Sequence, residues 1–307
     1  MIQIVARRMT TALLTVLAVI LLSGLLIRLI PGDPATALAA YSGNTTPEAM
    51  EQMRAHMGLD QPVWLQVGRY AVNVLSGDLG TTLSGNEPVA RLLLDRLPNT
   101  FLLAITSLGI ALFVGVPLGA IAAIKRGTAA DYGATTLTVL GASMPAFWLG
   151  LLLIQGFALK LGWLPVAGTD LRNLILPALT LGLTYGALVA RMTRYALIHI
   201  LSEDYIRTAR ARGLRERQVL MIHALRPALI SIVTMTGLIF ASLMGGQVIV
   251  ESIFSWNGIG RLAVQAMLQR DYPMIQGFIV VFATSVVFVS TSLDIIYGFL
   301  DPRMRQP

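Results

Sequence analysis

Six stretches of this chain run for at least 18 residues without a single Asp, Glu, Lys or Arg: 9–27, 97–124, 132–159, 173–190, 227–250 and 272–293. A helix needs about 20 mostly apolar residues to cross the hydrocarbon core of a bilayer. No other window comes close. In lipid the backbone has no water to bond to, so a single-chain span of this length must be helical. The expected fold is therefore all-α and integral to the membrane, with six transmembrane helices. Composition agrees: 55% of residues are hydrophobic and 13% charged, against about 25% charged in soluble domains. Several windows contain Pro117, Pro145 or the pair Gly245–Gly246. Spans tolerate such residues where neighbouring groups satisfy the freed backbone, and small residues let helices approach closely.

The first window resembles a secretory signal, because Arg7 and Arg8 precede it and Ala37-Leu38-Ala39 looks like a cleavage site. Its apolar run of 19 residues exceeds the usual signal core, and Arg28 with the turn Pro31-Gly32-Asp33-Pro34 separates it from that site. It is expected to remain as a span.

Six spans put both termini on one side. Of the 23 Lys and Arg, 14 fall on the N-terminal side: Arg7, Arg8, Lys125, Arg126, eight Arg between Arg191 and Arg226, Arg303 and Arg305. Of the nine on the other side, five lie in the long 28–96 segment, where charge has little influence on topology. The termini are expected to be cytoplasmic. The net charge of +7 is thus spread by the positive-inside rule and forms no nucleic-acid patch. The expected order is a cytoplasmic N-terminus 1–8, spans 9–30, 97–124, 132–159, 173–194, 227–250 and 272–299, and a cytoplasmic C-terminus 300–307. Segments 31–96, 160–172 and 251–271 lie outside the cell, and 125–131 and 195–226 lie in the cytoplasm.

The outer segment reads as short helices. Thr45 or Thr46 can cap one that opens at Pro47-Glu48 and ends at Gly58. Trp64, Val67, Ala71 and Leu75 then recur at helical spacing, and Gly77-Asp78-Leu79-Gly80 breaks the pattern. Either a structural cap or a docking surface for an external partner fits. The second loop reads RMTRYALIHILSEDYIRTARARGLRERQVLMIHALR over 191–226. Ser202 precedes Glu203 and Asp204 as a helix N-cap, Gly213 follows Arg212 as a left-handed C′ residue, and a second short helix covers 215–224. A basic loop of this kind suits anionic lipid headgroups. Its interleaved acidic and apolar residues suit a protein surface better.

Absences narrow the function. The chain has no Cys, which removes disulfides, thiolate metal sites and cysteine nucleophiles. His56, His199 and His223 all lie outside the windows, so a metal or catalytic dyad cannot be assembled at membrane depth. Ion-coupled carriers keep ionisable groups inside spans. Here the nearest candidates are Glu251 and Asp294, each at a window edge, where a surface polar contact and a coupling role both fit. Lys125 and Lys160 are the only lysines, and neither sits in a phosphate-loop motif. A transporter with neither device must draw its energy from another chain.

The loop sequences "DYIRTARARGL" and "HALRPALI" resemble the signature loop of permease subunits in bacterial ABC importers of the dipeptide, oligopeptide, glutathione and nickel branch. The resemblance extends over nearly the whole chain, through "PGDP", "GLDQP", "GDLG", "PAFWLG", "LGWLP", "GGQVIVESIFSWNGIGRL", "RDYP" and "DPR". It implies a type I importer permease that is not itself an enzyme and carries no cofactor or metal. ATP and Mg would be bound by two cytoplasmic ATPase subunits. A second homologous permease and an extracytoplasmic solute-binding protein complete the implied complex in the bacterial inner membrane. A nickel or metal-chelate cargo is the alternative to peptides and glutathione, and an ion-coupled carrier is the distant one.

The implied ATPase-coupling loop comprises Asp204, Tyr205, Arg207, Thr208, Ala209, Arg210, Ala211, Gly213 and Leu214. Ala209 and Gly213 match the Ala and Gly of the general importer signature. Arg207 and Thr208 replace its usual Glu-Ala, and Arg226 stands where the signature has Pro, with Pro227 next. Met144, Pro145, Phe147, Gly245, Gly246 and Glu251 are candidates for the translocation path or its gate.

Overall fold

A computed structural model describes residues 2–29, 46, 48, 51, 54–55, 60–83, 85–168, 170–245 and 247–300, with side chains from 6 to 26 and up to 293. Most of the helix expected to open at Pro47, the PGDP turn, Ser84, Gly246, the Asp294 side chain and the C-terminal DPR lie outside the described residues. Among the described residues the regular elements are helical, and an isolated antiparallel bridge joins Thr81 to Pro88.

The chain divides into two units. The first comprises Met1–Thr100, Met244–Val248 and Asn257–Pro307. It contains α1 (Ile2–Leu29), α2 (Val63–Leu75), the start of α3 (Val89–Ile124), α11 (Ile259–Gln269) and α12 (Tyr272–Leu300). α1 packs along α12 and also meets α2, where Ile20, Ala71 and Val280 form one buried cluster. A second cluster joins Val89 and Leu93 to Ile259, Ala263, Met274 and Phe278. Asp271, 2% exposed, ties this unit together. Its Oδ1 accepts the Met274 N–H at 3.2 Å and so caps α12, while its Oδ2 accepts the Leu83 N–H at 3.0 Å. Its own N–H donates to the Ala266 carbonyl at the end of α11. Asn99 Nδ2 donates to the Asn257 carbonyl, and the Ile259 N–H to Thr100 Oγ1. The motifs "WNGIG" and "RDYP" are thus seats for helix ends.

The second unit comprises Phe101–Leu243 and Ile249–Trp256. It contains the rest of α3, α4 (Ala129–Ser143), α5 (Ala146–Leu153), α6 (Leu171–Leu201), α7 (Asp204–Ala211), α8 (Glu216–Gln218), α9 (Leu225–Met244) and most of α10 (Val248–Ile253). α6 is its packed centre. A Cβ added at Gly115 would lie 2.6 Å from the Gly186 carbonyl oxygen, and one at Gly182 2.6 Å from Ile110. α3 and α6 therefore touch through glycines spaced four apart, the small-residue packing that lets membrane helices approach in the absence of a hydrophobic drive.

The window expected to form the third span is bent. Ala129–Ser143 and Ala146–Lys160 meet at 102°. Pro145 is the cause. It lacks an N–H, and its ring drives Met144 out of the helical region to ψ 125. An apolar run carries no information on direction, so a window scan cannot register such a break. Among the described residues five helices are individually long and apolar enough to cross a bilayer, and the bent pair makes six if it is one broken span.

α3 and α6 outrun their windows, α3 beginning at Val89 and α6 continuing to Leu201, while α9 stops at Met244, short of the end of its window.

Candidate cytoplasmic coupling loop

The segment between α6 and α9 is built around two helical pieces and an elbow. Ser202 does not cap α7. α6 persists to Leu201, which leaves Ser202 as its C-cap, with the hydroxyl donating to the His199 carbonyl at 2.6 Å. Glu203 takes the N-cap position of α7. Inside the loop Ile206, Ala209, Val219, Ala224 and Ala228 are buried together with Ala123, Ala196 and Leu197. That cluster fixes the underside of α7 on α6 and on the helix that follows. Ala209 therefore faces the protein, while Asp204, Tyr205, Arg207, Thr208, Arg210, Ala211, Gly213 and Leu214 are exposed.

The elbow is a Schellman motif. The Gly213 N–H donates to the Arg210 carbonyl at 2.9 Å and the Leu214 N–H to the Ala209 carbonyl at 3.4 Å. Gly213 sits at φ +78 with open space where a Cβ would be. Its requirement is conformational and not one of packing. Across the elbow Arg210 grips Glu216 bidentately, Nε to Oε2 at 3.1 Å and Nη2 to Oε1 at 2.7 Å. These hydrogen bonds hold the Glu216 carboxyl below the usual carboxylate range and the Arg210 guanidinium above its own. Arg207 reaches Asp204 more loosely, at 3.4 Å.

The second helix departs from expectation. α8 is only Glu216–Gln218, and a π-helical stretch Val219–Ala224 leads into α9 without a break. Pro227 lies inside that continuous helix. It has no N–H to offer the carbonyl four residues back, His223. The Tyr205 hydroxyl donates to that oxygen at 3.2 Å. The widened turn and the borrowed donor together let the helix pass through Pro227.

Above the loop, α6 is clamped to α4. Asp131, 4% exposed, accepts Arg194 Nε at 2.8 Å and Nη2 at 3.0 Å, the Gly127 N–H at 3.0 Å and the Thr135 hydroxyl at 3.3 Å. Sequence reasoning missed this pair, because its members are far apart in the chain and each read as a loop charge. A cavity of about 100 Å³ beside it is lined by Gly119, Ala134, Thr138, Ala190, Arg191 and Arg194, among others.

The other candidates are scattered. Met144, Pro145 and Phe147 line an open depression of about 430 Å³ at the α4–α5 bend, with Leu140, Ser143 and Trp148. Glu251 is fully buried on α10 and does not line that depression. Gly245 lies in the break between α9 and α10, half-buried, and Gly246 is outside the described residues.

Residues 115–306 match the family described as binding-protein-dependent transport system inner membrane component, and residues 1–104 match the N-terminal family of the same membrane component. A putative peptide transport system permease protein of Brucella abortus is 40% identical, with 99% of each chain covered. The glutathione transport system permease protein GsiC of Escherichia coli K12 is also 40% identical, again over 99% of each chain. Among solved structures, an inward-facing MetNI methionine ABC transporter chain aligns with TM-score 0.58 at 20% identity, over 68% of this chain and 96% of that one. An amino acid ABC transporter chain aligns with TM-score 0.53 at 16% identity, over 69% and 94%. These structures establish the likeness of fold.

Proposed function

The chain belongs to the binding-protein-dependent transport system inner membrane component family, and from that premise we propose that it forms half of the translocation path of an ATP-driven importer of peptides or glutathione. The names of its relatives favour that cargo over a nickel chelate. A second, similar permease completes the path. Two ATPase subunits bind ATP and Mg on the cytoplasmic face, and a solute-binding protein delivers cargo outside. Both termini are cytoplasmic, with spans at 9–30, 97–124, 132–159, 173–194, 227–250 and 272–299.

The observation that carries this assignment is the loop at 204–218. Its underside is fastened by Ile206, Ala209 and the adjoining Val219, its angle is set by Gly213 and the Arg210–Glu216 pair, and its outer face is exposed and carries a net positive charge. A segment that is rigid within itself and joined directly to α6 and α9 can pass motion from a docked ATPase to two spans at once. The Asp131–Arg194 clamp extends the same connection to α4. Met144, Pro145, Phe147, Gly245, Gly246 and Glu251 serve the path or gate near the bend and the α9–α10 break. ATP and the loaded binding protein favour different states of the assembly, so import proceeds by population shift.

Purification of the tagged full chain tests this. An ATP-hydrolysing partner should copurify, and proteoliposomes containing the assembly should take up peptide with ATP regardless of a proton uncoupler. Uptake that needs no ATP and collapses with the uncoupler would replace this assignment with an ion-coupled carrier.

A further inference from the structure

α2 lies in the segment 31–96, which separates the first two apolar windows and was expected to stand outside the membrane. Its packing contradicts a wholly aqueous position. A Cβ added at Gly24 of α1 would lie 3.0 Å from the Tyr70 ring and 3.5 Å from Val67. Ala71 and Val74 join the cluster that holds Ile20 and Val16. As residue numbers fall along α1, they rise along α2, so α2 runs back alongside the first span. Val16, Ile20 and Gly24 all belong to the charge-free window 9–27. α2 thus sits at the depth of that window, although its 13 residues extend only about 20 Å and cannot cross a bilayer.

At 3.6 residues per turn α2 has three flanks. Val67, Tyr70, Ala71 and Val74 face α1. Gln66, Arg69 and Asn73 form a polar flank. The remaining flank is apolar and open, with Trp64 74%, Val72 66% and Leu75 64% exposed. It carries no charge. Trp64 stands in the first turn, a residue type that favours the interface between headgroups and hydrocarbon. A helix satisfies its own backbone, so it can rest in lipid without other partners.

We propose that α2 is a re-entrant helix half-inserted in the outer leaflet, with Trp64, Val72 and Leu75 against lipid acyl chains and the polar flank turned to water. The turn after Leu75 then brings the chain back, with Leu79 in the same apolar cluster as α1.

The absence of native Cys makes the test direct. Nitroxide labels are placed on Val72→Cys, Leu75→Cys, Arg69→Cys and Asn73→Cys in the full chain, purified with its partners into phosphatidylethanolamine–phosphatidylglycerol nanodiscs. Collision with oxygen should exceed collision with a water-soluble nickel chelate several-fold at positions 72 and 75, and the ratio should invert at 69 and 73. Nickel access at all four positions would place α2 in water and overturn the proposal. Shielding of 72 and 75 from both reagents would mean that a protein partner covers the flank, which also overturns it. A second measurement leaves the chain unlabelled. Chain-brominated lipid should quench a tryptophan component present in the native protein and missing in Trp64→Phe, and equal quenching of the two proteins contradicts insertion.

Discussion

α1 and α6 are both spans, yet they are built on opposite principles. The most apolar window of α1 has mean hydropathy 2.3 and 17% of it is buried, while that of α6 has mean hydropathy 1.6 and 67% is buried. The less apolar helix is the more enclosed. In water the order would be reversed. In a bilayer the lipid already solvates Leu and Ile, so an apolar surface gains little by packing, and helices associate through small residues and polar contacts. α6 has what such contacts require: Gly182, Gly186 and Ala190 against α3, and Arg194 in the Asp131 clamp. α1 offers Leu13, Leu14 and Leu22 outward and pins itself chiefly to α12 and α2. The helix that leads into the proposed coupling loop is the most enclosed of the candidate spans among the described residues.

The sharpest way to break this contrast is to remove Arg194 from α6. Arg194→Ala leaves the Asp131 carboxylate without its guanidinium, and should lower stability more than either change that follows. Thermal unfolding of the purified protein reads this as a large drop in midpoint. Asp131→Asn combined with Arg194→Gln should recover most of it. A loss no larger than that of an exposed surface change would mean that the clamp is incidental.

Next comes the glycine seam. A Cβ at Gly119 meets the Ala190 carbonyl and lies 2.8 Å from the Thr193 Cβ. Gly119→Val should therefore destabilise by about 1–3 kcal/mol, while Leu22→Val on the open face of α1 should leave the midpoint near wild type. Equal losses at the two sites would erase the distinction between a packed and a lipid-facing span.

The smallest expected effect concerns the loop itself. Tyr205→Phe removes the donor to the His223 oxygen and should cost about 1 kcal/mol. In a Pro227→Ala background the backbone N–H returns, and the same substitution should then cost almost nothing. An undiminished cost in that background would show that Tyr205 acts through some other contact.

Charge-free length made the all-α membrane fold legible, since it needs no partner to interpret. The elbow was legible too, because Gly after a basic helical turn has a local meaning. What depended on distant neighbours was not. Pro145 marks a break, but the size of the bend it allows, 102°, cannot be read from an apolar window. The stripe of Trp64, Val67, Ala71 and Leu75 mixes two flanks, with Val67 and Ala71 inward and Trp64 and Leu75 outward. Ser202 was taken by the longer reach of α6, and the Asp131–Arg194 pair joins two residues 63 positions apart.

The central claim is that the loop at 204–218 couples this permease to ATP hydrolysis, and Gly213 tests it most directly. A β-branched side chain at φ +78 is strongly disfavoured, so Gly213→Val should turn α8 away from its place without clashing with any neighbour. Expression and membrane insertion should persist. The copurified ATPase should either be lost or no longer respond to the loaded binding protein, with Gly213→Ala showing a milder form of the same defect. If Gly213→Val instead keeps normal expression, normal ATPase copurification and normal stimulation of hydrolysis, the loop has no part in coupling.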